Sequence, residues 1–197
     1  MEFKKIQLNG FKSFAEKADF LIEDGLTGIV GPNGCGKSNI VESLRWAMGE
    51  TSAKSMRGSG MEDVIFSGTS NKASKNIAEV TIEVENKDKE GPVQYRDHDQ
   101  IQIKRKIEKD KGSKFYINGK EVRARDVQMF FADLSTGAHS PSMISQGRIG
   151  ALVTAKPTDR RAILEEAAGI SGLHVRRHEA ELRLGAAENN LKRADEL

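Results

Sequence analysis

Eight consecutive residues, Gly31-Pro32-Asn33-Gly34-Cys35-Gly36-Lys37-Ser38, satisfy the spacing G-x-x-x-x-G-K-[ST] without a mismatch. Glycines at these places let the backbone wrap closely enough to aim several N–H groups at phosphate oxygens. A helix opening directly afterwards, from Asn39, adds the positive end of its dipole. Lys37 is expected to reach the β- and γ-phosphates and Ser38 a Mg²⁺ ion. Cys35 contributes its backbone N–H, its side chain being a small residue that the loop tolerates. The chemistry implied is the binding of a nucleotide's phosphates.

Hydrolysis needs more: an acidic residue after a hydrophobic strand to hold Mg²⁺, and a group that positions water. No run of four aliphatics ending in Asp occurs, and Phe130-Phe131-Ala132-Asp133, the nearest approach, reads as the end of an amphipathic helix. The residues therefore supply half of a catalytic site. A self-contained P-loop kinase would require a lid and an acidic metal ligand, neither of which is apparent. A non-catalytic module with a vestigial loop sits poorly with an intact Lys37-Ser38.

The elements that must hold this loop can be read from periodicity. Phe3/Ile6/Leu8, Phe20-Leu21-Ile22 and Leu26 to Val30 predict strands, the last leading into the glycine loop. Ile40, Val41, Leu44, Ala47 and Met48 form a helical stripe that Gly49 can stop. Residues 50–75, rich in Ser, Gly, Lys and Met, predict a functional loop with a short strand at Val64-Ile65-Phe66. Ile77/Val80/Ile82/Val84 and Ile101/Ile103/Ile107 alternate as strands, joined by the polar surface connection Asn86 to Gln100. Phe115-Tyr116-Ile117 meets Asn118-Gly119, a pair suited to a type I′ hairpin turn. This half predicts an antiparallel sheet beside the first. Helices are expected over 125–134 and 158–169, the second with Pro157 at its first turn and Gly169 and Gly172 after it. From His174 onward Ala180, Leu184, Ala187, Leu191 and Ala194 keep the spacing of a coiled-coil seam, interrupted by Gly185.

Composition bounds the classes. The chain has 197 residues, 31 Lys+Arg against 29 Asp+Glu, and 37% hydrophobic residues, which excludes disorder as a whole. One cysteine excludes an internal disulfide and suits a reducing compartment. Met1 to Gln7 lacks the apolar core of a signal peptide, and no apolar run suits a membrane span, so a cytoplasmic chain without membrane contact is expected. Near-balanced charge leaves nucleic-acid binding to local clustering: Lys104-Arg105-Lys106, Lys109, Lys111, Lys114, Lys120, Arg123 and Arg125 gather around the hairpin, diluted by Glu108, Asp110 and Glu121.

Beyond the glycine loop, four further segments carry a resemblance. Leu8-Asn9-Gly10-Phe11-Lys12-Ser13-Phe14, Ser55-Met56-Arg57-Gly58 with Met61 to Phe66, Ile144-Ser145-Gln146-Gly147-Arg148, and Arg160-Arg161 with Glu165 to Ile170 stand in this order. Together with Gly31 to Asn39 they resemble the opening strand, arginine loop, Q-loop, coiled-coil entry and Walker A of the head segment of SMC chromosome-partition ATPases, most closely bacterial ones. The glutamate-rich coil entry argues against a related coiled-coil ABC ATPase of DNA repair. Leu134-Ser135-Thr136-Gly137 looks like an ABC signature motif, but it precedes Gln146 and leads into Pro141, so it reads as a loop. Cys35, where serine is frequent in the family, is a departure.

The resemblance implies an α/β fold: the N-terminal lobe of an ABC-type P-loop NTPase with an antiparallel β subdomain and the start of a coiled-coil helix. Residues 1–172 would form half of the ATPase head and 173–197 the beginning of the arm. It implies ATP and Mg²⁺ sandwiched between two heads of a homodimer, with Walker B, signature motif and catalytic glutamate supplied by a C-terminal segment of the same polypeptide. Carried over by residue, Gly31, Pro32, Asn33, Gly34, Cys35, Gly36, Lys37, Ser38 and Asn39 would bind nucleotide, bordered by Lys12 and Ser13. Ser38 and Gln146 would attend the metal, Gln146 also attacking water, and Arg57 would reach phosphate and couple hydrolysis to DNA. Asp63 is expected to cap or pair structurally. A kleisin-type subunit and non-specific DNA are the implied partners, and the nucleoid the place of action.

Overall fold

In a computed structural model, residues 1–87, 89, 92–134, 143, 150, 153–167, 177, 180–189 and 191 are described. Six strands form one antiparallel sheet in the order β2-β1-β3-β4-β5-β6: β1 (Glu2–Asn9), β2 (Ala18–Leu21), β3 (Ile77–Glu85), β4 (Gln100–Glu108), β5 (Gly112–Ile117) and β6 (Lys120–Val122). The two strand groups expected to lie as neighbouring sheets are thus continuous, because β1 pairs with β3 as well as with β2.

Register explains why the sheet holds. Ile6, Ile82, Ile103 and Ile117 stand opposite one another across four strands, all buried on one face. Each such side chain contributes about 1.5–3 kcal/mol by leaving water. Gln7, Thr81, Lys104, Tyr116 and Glu121 form the adjacent row, on the opposite face. Asn118 and Gly119 both have positive φ, 48° and 78°, as a type I′ turn between β5 and β6 requires.

Helix α1 (Lys37–Ala47) packs its Ile40, Ser43, Trp46 and Ala47 face toward the sheet. The stripe is turned from the one expected: Val41 and Leu44 are only half-buried, because the small Ser43 and the bulky Trp46 fit against β3 and β4 instead. Trp46 lies 5.4 Å from the Phe11 ring. Helix α2 (Ala124–Asp133) buries Val127, Phe130 and Phe131 in the same core, and Phe131 stacks on Phe3. The Phe130-Phe131-Ala132-Asp133 run is helical, as its amphipathic reading requires. Helix α3 (Pro157–Ala167) begins at Pro157, and residues 181–189 are helical with Leu184 exposed. The 135–137 loop, Gln146, Gly169, Gly172 and Ala194 lie outside the described residues.

Two further expectations are corrected. Leu26 to Val30 form no strand, and Leu26 and Val30 are 96% and 95% exposed. Strand formation depends on partners more than on intrinsic preference, and no described strand pairs with this run. Val64-Ile65-Phe66 is mostly a turn: Met61–Val64 is a 3₁₀ helix and Ile65 makes a single bridge to Phe11. Among the described residues no helix is long and apolar enough to cross a membrane.

Candidate nucleotide-binding site

Gly34 and Gly36 adopt φ of 82° and 93°, a region that costs a residue with a Cβ and costs glycine nothing. At Gly36 a Cβ would also stand 2.8 Å from Ser13 Oγ. Gly36 starts α1 without any side-chain cap, and no acidic residue occupies the first turn. The first N–H groups and the positive end of the helix are therefore left to an anion. Lys37 bends back so that Nζ donates to the carbonyls of Gly31 and Pro32, both at 2.5 Å, and lies 3.8 Å from Cys35 Sγ. A phosphate would replace those carbonyls with a stronger, charged acceptor. The loop, the free helix end and the lysine fit a nucleotide's phosphates, and the Ser38 hydroxyl fits an oxygen-seeking cation such as Mg²⁺. Among the described residues, no group of three or more His, Cys, Asp or Glu could hold a metal.

The far end of α1 is anchored by an arginine in the core. Arg105 of β4 falls in the row Leu8, Val80, Arg105, Phe115, Val122, and is 2% exposed. Its guanidinium lies 4.4 Å from the centre of the Trp46 ring and 4.5 Å from that of Phe115. Nη1 donates to the carbonyls of Trp46 (2.7 Å) and Glu50 (2.6 Å), and Nε to Ser113 Oγ (2.8 Å). Burial pushes its pKa down to about 10, with Glu50 acting in the opposite sense. Gln128 of α2 adds a bond to the Gly49 carbonyl at 2.7 Å. Arg105 thus leaves the basic cluster proposed for nucleic acid; its place is the helix C-terminus. Three other cations there are already paired: Lys104 with Glu79, Lys111 with Glu108 and Lys114 with Glu121.

Beside the loop, residues distant in sequence converge. Phe66 N donates to Gly10 O (2.8 Å) and Lys12 N to Val64 O (2.7 Å), which ties the 50–66 loop to the exit of β1. Asn39 Nδ2 donates to Ser13 Oγ (2.9 Å), and Arg57 Nη2 to Asn39 Oδ1 (3.2 Å). Lys12 Nζ reaches the Met56 carbonyl at 2.5 Å. Both cations also pair with Glu42, Lys12 through Oε2 and Arg57 through Oε1. Lys12, Ser13, the 31–39 loop and Arg57 therefore share one locality. Glu42, which the reading of motifs passed over, lies at its centre. The available signal was that Glu42 is the sole negative charge in the helix Lys37–Ala47. Asp63 accepts from Gly60 N, Ser59 Oγ and Ser59 N, which keeps its carboxyl below the usual range. That is the structural capping role expected of it.

Residues 2–148 match the family model described as RecF/RecN/SMC N terminal domain. The chain belongs to this family. It is 57% identical over 197 residues to the chromosome partition protein Smc of Rhodopseudomonas palustris and 43% identical over 199 residues to that of Myxococcus xanthus, covering all of this chain in both cases. The chain spans 17% and 16% of those relatives' lengths. Among solved structures it resembles an Smc head bound to the C-terminal winged-helix domain of ScpA (TM-score 0.78, 31% identity, 87% of this chain and 52% of the other). It also resembles a Pyrococcus furiosus Smc head with an extended coiled coil bound to the C-terminal domain of ScpA (TM-score 0.75, 32% identity, 98% and 48%). The fold is that of the α/β N-terminal lobe of an SMC head, built on an antiparallel sheet.

Proposed function

We propose that this chain is the ATP-binding half of an SMC-type head that organises and segregates chromosomal DNA, and that it hydrolyses ATP only when a C-terminal segment of the same polypeptide completes it. The observation that carries this reading is the conjunction of a formed phosphate loop with an unpartnered Leu26 to Val30 run leading into it. An apolar, β-prone segment exposed at 96% and 95% at its two ends is a strand awaiting neighbours. The half-buried Val41 and Leu44 on α1 point the same way, as does coverage of 52% and 48% of the two ScpA-bound heads.

In this reading residues 1–172 are the half-head and 173–197 begin the arm. Lys37, the Gly31 to Asn39 amides, Lys12 and Ser13 bind ATP, and Arg57 turns to its phosphates. Ser38 and Gln146 attend Mg²⁺, which supplies charge neutralisation at the phosphates when bound. The partners are a second head, a kleisin-type subunit in the manner of the ScpA complexes, and DNA held without sequence preference. Lys106, Lys109, Lys120 and Arg123, which form no ion pair among the described residues, supply phosphate contacts better than the paired lysines beside them. Action at the nucleoid follows.

The test is steady-state ATP hydrolysis by the chain alone and after co-expression with the C-terminal segment, each with and without DNA. Turnover only in the completed head, accelerated by DNA, is expected. Efficient turnover by the chain alone would put a whole site within these residues and overturn the reading.

A further inference from the structure

Three features frame the cluster beside the loop. Its two cations, Lys12 and Arg57, both carry positive φ, 46° and 55°, which side chains with a Cβ seldom adopt. Both converge on a single carboxylate, Glu42, which is 10% exposed and presents one oxygen to each. The two cations are held differently. Lys12 is 14% exposed and has the Met56 carbonyl as a second acceptor, whereas Arg57 is 58% exposed and adds only the neutral Asn39 amide.

Glu42 neutralises one of two cations, and Lys37 adds a third whose present acceptors are neutral carbonyls. The site carries an uncompensated positive charge that suits a polyanion. When phosphates arrive, the more exposed cation with fewer acceptors can leave its carboxylate at the smaller cost, and a planar guanidinium can pair with phosphate oxygens as it does with a carboxylate. The less exposed lysine stays, since its departure would leave Glu42 unpaired at low exposure.

We propose that Glu42 is the positioning residue of this site: it holds the Arg57 loop in its nucleotide-free place, and Arg57 exchanges Glu42 for phosphate when ATP binds. The second half rests on Arg57 acting on phosphate, and the first does not. Glu42 touches no nucleotide. It sets where Arg57 waits and holds Lys12 at the edge of the loop.

The test uses the full-length protein as wild type, Glu42→Gln, Glu42→Asp, Arg57→Ala and the Glu42→Gln/Arg57→Ala double variant, with thermal unfolding confirming that each is folded. A fluorescent ATP analogue with Mg²⁺ reports affinity. Glu42→Gln should bind it several-fold more tightly, because Arg57 no longer leaves a carboxylate; Glu42→Asp should stay near wild type. The gain should vanish in the Arg57→Ala background. Unchanged or weaker binding by Glu42→Gln overturns the exchange, as does a gain that persists in full without Arg57, which would be only the field of a removed charge. Amide hydrogen exchange over residues 54–60 without nucleotide tests the holding role separately. Faster exchange in Glu42→Gln than in wild type supports it, and equal exchange overturns it. If Arg57→Ala alone leaves affinity unchanged, the phosphate role of Arg57 falls and the exchange with it, while hydrogen exchange still decides whether Glu42 holds the loop.

Discussion

The β-sheet and the phosphate loop are assembled on opposite principles. Every strand from β1 to β6 finds its partner within the chain, and its inward side chains form one core with α1 and α2. The run that feeds the phosphate loop finds none among the described residues and leaves Leu26 and Val30 in water. Both segments have strand-forming sequences. What separates them is the supply of neighbours: one region is self-sufficient, and in the function proposed above the other is half of an interface.

Substitutions can break each side of this contrast. The largest effect is expected at Arg105, where alanine removes the guanidinium from between two rings and strands the Trp46 and Glu50 carbonyls in the core. Urea unfolding should show a loss of about 3 kcal/mol or more, from unsatisfied buried acceptors plus the cavity. A loss under ~1 kcal/mol would mean that the helix end is held without it.

Leu26→Asp with Val30→Asp should do the reverse. Stability of the chain alone should stay within ~0.5 kcal/mol, as for exposed positions, while affinity for the co-expressed C-terminal segment falls about a hundredfold, roughly 2.7 kcal/mol. Unimpaired association in a pull-down titration would show that this run is not the joint.

Lys37→Ala sharpens the contrast from the loop side. Removing one charge-assisted contact should weaken ATP binding about tenfold or more in calorimetry of the full-length protein, with sheet stability untouched. Wild-type affinity would remove Lys37 from the site.

The smallest effect concerns Asp63. Its carboxyl is held below the ordinary value of 3.8, first by the Gly60 N–H and then by Ser59. A depressed folded-state pKa contributes stability above the unfolded value that is lost as pH falls through the folded one. Asp63→Asn should therefore reduce the acid dependence of the urea midpoint below about pH 4 and leave the slope between pH 5 and 7 unchanged. Identical acid profiles for the two proteins would show that the Ser59-Gly60 turn does not depend on the charge.

Much of the fold was legible because local chemistry decided it. Alternation in Val80-Ile82-Val84 and Ile101-Ile103 sets which face is buried, Asn118-Gly119 sets the hairpin, Pro157 opens a helix, and the spacing of Gly31 to Ser38 needs no tertiary contact to be read. Arg105 misled for a definite reason: within Lys104-Arg105-Lys106 it resembles its neighbours, and only the register of β4 against β3 and β5 turns it inward. Leu26 to Val30 misled because strand propensity cannot say whether a partner is present.

Residue types a few positions apart were enough to reveal the phosphate-loop motif, the strand alternation and the family. Tertiary structure alone decided that residues 12, 39, 42 and 57 meet, that Glu42 lies between two cations, and that one arginine of a basic run holds the end of α1. Those outcomes depend on the return of the 50–66 loop to β1 and on strand register, which are set by long-range packing and backbone hydrogen bonds rather than by any short pattern.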